Sequence, residues 1–181
     1  MRVLRLYMLP SILKKSDTRY QGDLNWESYL IQVGDFAETI DRDFLSSICL
    51  EHFDRFNRCF PEFDINKHRV ERVSFTAEQI YSEVRYDDNK PLDFWYFQVD
   101  DYLNGTSRLT YPPLEYCLKN RTWSFSPVVI DHAFGCELGG CRLGHPYHLI
   151  EGTHRVSFIN RLLELNIIDA SSTHEMLIIR P

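Results

Sequence analysis

Tyr147-His148-Leu149-Ile150-Glu151-Gly152-Thr153-His154-Arg155-Val156 reads as a short strand, a glycine turn and the opening of a helix. Downstream, Val156, Ile159, Leu162 and Leu163 recur at helical spacing, with Arg161 and Glu164 left for the solvent side. This pattern predicts a helix from about Thr153 to Leu165. Asn166 suits the helix end because it tolerates left-handed backbone, and Glu175 to Arg180 reads as a closing strand. Upstream, Val128-Val129-Ile130 is a short buried strand, and a glycine-rich connection runs from Gly135 to Gly144. Strand, connection, strand, helix, strand makes an α+β unit.

The turn has the chemistry of an anion site. A helix leaves its first amide groups unpaired, and its dipole puts partial positive charge at that end. Gly152 allows close backbone approach, Thr153 can cap or donate a hydroxyl, and Arg155 can grip an oxyanion through two nitrogens. His154 changes charge near neutral pH. A plainer reading uses the same residues: a tight turn at Gly152, a cap at Thr153, and Arg155 paired with a carboxylate such as Glu151 or Asp131.

Leu149-Ile150-Glu151-Gly152-Thr153-His154-Arg155, with the following helix and closing strand, resembles the core of the ParB/sulfiredoxin-like superfamily. Ser126-Pro127-Val128-Val129-Ile130-Asp131 is the matching opening strand, and the resemblance covers roughly Pro127 to Pro181. It implies a small mixed sheet with packed helices and a Gly-x-His-Arg turn holding the phosphate of a nucleotide. Gly152, Thr153, His154 and Arg155 are then the phosphate-binding residues. Glu151 and His154 are the candidate catalytic residues of a phosphotransferase or nucleotide hydrolase, with magnesium sharing the phosphate charge. Thr153 stands where sulfiredoxins carry their catalytic cysteine, so sulfinic-acid reduction is not expected. No Glu-Asn-x-x-Arg signature or DNA-binding helical domain follows the turn before Pro181, so chromosome-partition and CTP-clamp functions are not expected either.

The first 126 residues lie outside the resemblance. Met1 to Pro10 reads as a strand opening the domain rather than a signal peptide, because Arg5 and Pro10 interrupt its apolar stretch. Trp26 to about Phe60 reads as helical, with Phe36, Ile40, Phe44, Leu45, Ile48, Phe53 and Phe56 at spacings of three and four, and Pro61 closes it. Val70 to Phe75 alternates as a strand, and Thr76-Ala77-Glu78-Gln79 opens a helix with a capping-box pattern. Leu92 to Val99, short and aromatic, reads as a strand. Asn104-Gly105 and Pro112-Pro113 read as turns. The whole is one domain over 1–181: a helix-rich part (1–126) of unassigned role, then the core (127–181).

The 181 residues carry net charge -6 and a pI of about 5.6, which disfavours a nucleic-acid partner held through phosphate contacts. No apolar run approaches the ~20 residues of a membrane helix. Five cysteines, Cys49, Cys59, Cys117, Cys136 and Cys141, fit reduced thiols in a cytoplasm. Cys136, Cys141, His145 and His148 supply zinc-type ligands, but C-x4-C-x3-H-x2-H is not a familiar finger spacing, so ordinary thiols are the favoured reading. Asp131-His132 after a strand and the Asp100-Asp101 pair are weaker candidates for chemistry, for which exposed loop charges are the simpler account. Trp95, Tyr96 and Trp123 read as core rather than as a base-stacking platform. The function expected first is nucleotide or phosphate binding at Gly152 to Arg155. The alternative is a non-catalytic acidic binding protein, such as an immunity protein or antitoxin, that contacts a protein partner.

Overall fold

The computed structural model describes residues 9–15, 26–86, 90–107, 111–139 and 143–181. The expected amino-terminal strand lies almost wholly outside them. Five strands, β1 (Arg69–Thr76), β2 (Val84–Arg85), β3 (Val128–Asp131), β4 (Tyr147–Glu151) and β5 (Thr173–Arg180), form one mixed sheet. Its order is β1-β5-β3-β4-β2. β5 runs antiparallel to β1 and parallel to β3, while β4 runs antiparallel to β3 and parallel to β2. The fold is α+β.

Period-two alternation sends neighbouring side chains of the central strands to opposite faces. Val128, Ile130, Leu177 and Ile179 join one hydrophobic cluster, and Val129, Leu149, Met176 and Ile178 join another. All eight are fully buried. Both faces of the sheet therefore need covering.

Within the 1–126 part, whose later section supplies β1, β2 and helices of the second face, the section from 26 to 59 covers the first face. It contains α1 (Trp26–Val33), α2 (Phe36–Thr39), α3 (Arg42–Phe44), a π-helical segment (Leu45–Leu50) and α4 (Phe53–Cys59). Of the residues whose three-and-four spacing predicts a helical face, Phe44, Leu45, Ile48, Phe53 and Phe56 are buried while Phe36 and Ile40 are partly buried, and Tyr29 and Val33 join them. Phe56 meets Phe63 edge-on at 5.0 Å between ring centroids. The helical run ends just before Pro61.

The second face is covered by α5 (Ala77–Glu83), α6 (Tyr96–Leu103), α7 (Pro112–Asn120) and α9 (Thr153–Glu164), while the short α8 (His132–Glu137) follows β3. The capping box forms as expected, with Thr76 accepting from the Gln79 amide and Gln79 from the Thr76 amide. Two expectations fail. Leu92 to Val99 is no strand: its second half enters α6, which packs on α9 through buried Val99. Arg161 of α9 donates to both carboxylate oxygens of Asp100 at 2.8 and 3.0 Å, which accounts for that acid. Pro112-Pro113 is not a turn but the first turn of α7, where a missing amide costs nothing.

Arg72 of β1 ties the helix-rich part to the sheet. Its guanidinium donates to Asp41 (2.9 Å), Asp43 (3.1 Å), Ser126 (2.6 Å) and Glu175 (3.1 Å). Asp43, 9 % exposed, also accepts the Ser126 amide at 2.8 Å. Arg72→Met leaves that carboxylate without its cation and is expected to lower unfolding free energy by roughly 1–3 kcal/mol, read from urea denaturation.

His174 on β5 is 2 % exposed, and burial pushes its imidazole down to about 4. The unfolded chain, with an ordinary value near 6.5, then binds the proton that the folded chain refuses. Stability is therefore complete above about pH 6.5 and falls toward pH 4, by on the order of 3 kcal/mol from this group. Urea midpoints across that range are expected to flatten in His174→Gln.

Candidate functional site

β4 delivers the chain to Gly152, whose φ of +106° starts α9. A Cβ at this position would lie 2.7 Å from Cβ of Pro127, the residue before β3. The glycine is thus required by its own backbone and by its neighbour strand, whatever else approaches it. Having no side chain, Gly152 leaves α9 without a side-chain cap. The amides of Thr153, His154 and Arg155 precede the first intrahelical bond, Val156 to the Gly152 carbonyl at 2.9 Å, and stay unpaired among the described residues. Thr153 occupies the first helical position and is not the cap.

Arg155 is held rather than loose. It pairs with Glu151 one turn away and donates to the Phe125 carbonyl at 2.9 Å. The plain reading of this arginine, a partner for Glu151, is present in the structure. It is compatible with an anion site, because the five guanidinium N–H groups are not exhausted by two acceptors.

His154 lies flat on Trp95, with centroids 3.8 Å apart and planes 14° apart, and Tyr111 leans on it at 5.4 Å. Burial is the chief cause that lowers its imidazole below the ordinary value; Glu151 pulls it up and Arg155 pushes it further down. The ring is thus neutral at pH 7 and able to accept a proton. No hydrogen bond is made by it among the described residues. Trp95 is half-buried, packing against the core of the second face and stacking on this ring.

Gly152, His154, Arg155 and Glu151 open on one cleft of about 420 Å³. Thr153 does not line it. Its other walls come from far away in sequence: Ser46 and Ser47 of the π-helical segment, Glu51 just after it, Tyr111 and Pro113 at the start of α7, and Ser124 and Phe125 before β3. These residues carried little local signal. The serine pair and Glu51 sit inside an amphipathic helical pattern, and only the π-helical winding, often found at functional positions, sets them apart.

The aspartate and histidine candidates among the rest have partners within the fold. Asp131 caps α8 by accepting from the amides of Ala133 and Phe134 at 3.0 and 3.2 Å. His132 meets His145 ring to ring at 5.3 Å. Nδ1 of the buried His148 lies 3.2 Å from the Gly144 amide and 2.8 Å from the Tyr86 carbonyl oxygen. Cys136 is exposed, and Cys141 falls outside the described residues. Among the described residues no group of three or more His, Cys, Asp or Glu side chains is placed to hold a metal ion, and no helix is long and apolar enough to cross a membrane.

Comparison of the chain with protein-family models, curated proteins and solved structures finds no match in any of the three.

The field at His154 gives a direct check on this geometry. Arg155→Ala removes the cation that opposes protonation and frees the Glu151 carboxylate that favours it. An NMR titration is expected to place the wild-type imidazole below its ordinary value and to show it rising in the variant.

Proposed function

We propose that this protein binds a phosphate-bearing small molecule, a nucleotide or a close relative, at the amino end of α9. The observation that supports this most is the meeting of three groups in one open cleft: the uncapped helix start at Gly152, the clamped guanidinium of Arg155 and the neutral ring of His154. Unpaired helix-start amides and the helix dipole favour a phosphate. Glu151 and the Phe125 carbonyl fix the guanidinium before a ligand arrives, which reduces the ordering cost of binding. A cleft of about 420 Å³ is within the range of small-ligand sites. The ParB/sulfiredoxin-like resemblance of the turn points the same way.

If the site is catalytic, His154 is the group suited to take a proton from an attacking hydroxyl or water, because it is neutral and its ring nitrogens are uncommitted. Glu151 is engaged with Arg155 and takes that role only by leaving it. A magnesium ion carried in by the phosphate would share its charge.

A second reading, contact with a protein partner without catalysis, draws on Phe94 and Phe97, 57 % and 55 % exposed at the start of α6. Thermal melting with ATP, CTP, GTP and ADP, each with and without magnesium, separates the two. At a hundredfold excess over Kd a true ligand adds about 2.7 kcal/mol, roughly 5–10 °C for a chain of this size. That gain is expected with at least one nucleotide and is expected to vanish in Arg155→Ala. No shift with any of them, together with a stable co-purifying protein, would favour the second reading.

A further inference from the structure

The polar groups of the cleft fall into two sets. Arg155 and Glu151 bind each other. On the other walls, Ser47, Glu51, Tyr111 and Ser124 make no side-chain hydrogen bond or ion pair among the described residues. Ser47 is the telling one, at only 6 % exposed. A helical serine in such a place commonly returns its hydroxyl to a carbonyl one turn back, as Ser82 does here to Glu78 at 2.7 Å. Ser47 does not: although the residue is nearly buried, its hydroxyl reaches the cleft instead of being sealed in the core. Its hydrogen-bond partner, water or a ligand, comes from the cleft.

Glu51 limits what that partner can be. A carboxylate repels phosphate, so the part of a ligand beside Glu51 is not its phosphate. Tyr111, which stands in the field of Arg155, Glu151 and Glu51 together, links the anion end of the cleft to this acidic end. The groups available here are one carboxylate acceptor and hydroxyls that both donate and accept. Neighbouring hydroxyls of a sugar satisfy both kinds, since they donate to the carboxylate and exchange hydrogen bonds with serine and tyrosine. A lone cation would leave the hydroxyl donors unmatched.

We infer that Glu51 and Ser47 form a sugar-hydroxyl subsite, so that the ligand lies with its phosphate at the start of α9 and vicinal ribose-type hydroxyls against the π-helical segment. The inference rests on the phosphate reading of the same cleft. It assigns a role to the helix-rich part, which supplies specificity while the core supplies the anion grip.

Calorimetry with ATP, CTP and GTP beside their 2′,3′-dideoxy counterparts tests it. At least one ribonucleotide is expected to bind wild-type protein about tenfold tighter than its dideoxy form, the worth of a hydrogen bond to a charged group. In Glu51→Gln and Ser47→Ala the two forms are expected to bind within about twofold of each other, with the dideoxy affinity kept, which also shows that the variants fold. Equal binding of both forms by the wild type overturns the subsite but leaves the phosphate reading standing. Discrimination that persists in both variants overturns it too. No binding of any form removes both readings together.

Discussion

Met176, Leu177, Ile178 and Ile179 alternate between two faces of β5, and neither face can be left to water. Val128, Val129 and Ile130 impose the same demand from the neighbouring parallel strand. Parallel pairs buried on both faces require helical cover on each side. The core from β3 to β5 contributes α9 to one side and Phe134 of the short α8 to the other, and the first half of the chain supplies the rest of that second cover. The helix-rich part is therefore part of the same hydrophobic structure as the turn.

The cleft follows from that arrangement. β4 ends at Glu151, where the sheet stops and the helical layers on its two faces face one another. The π-helical segment brings Ser46, Ser47 and Glu51 from one layer, and the start of α7 brings Tyr111 and Pro113 from the other. Gly152 permits the closure because a side chain there would collide with Pro127. The positive φ and the close strand contact thus set where α9 begins and where its free amides point.

Arginines give this acidic protein its polar organisation. Arg72 gathers Asp41, Asp43 and Glu175, Arg161 holds Asp100 and Glu164, and Arg155 holds Glu151. The first two join elements and sit away from the cleft. Arg155 alone of the three lines it, so the same type of pair that fastens helices elsewhere here fixes a guanidinium beside an uncapped helix end.

Much of this was legible from local pattern. The alternation in Val70 to Phe75, the capping box at Thr76, the apolar run at Val128 and the spacing in α9 each reflect a preference that acts within a few residues. The turn at Gly152 was legible for the same reason. Leu92 to Val99 was misread because aromatic residues favour strands only where a sheet edge receives them; here α9 offers Arg161 and an apolar face, and a helix forms instead. The residues opposite the turn were hidden, since Ser47 and Glu51 lie about a hundred positions from Gly152 and look like ordinary members of a helical stretch. Short-range chemistry determined the glycine turn and helix start at one end of the cleft. Tertiary packing decided its other wall, because only two layers closing on one sheet bring those residues together.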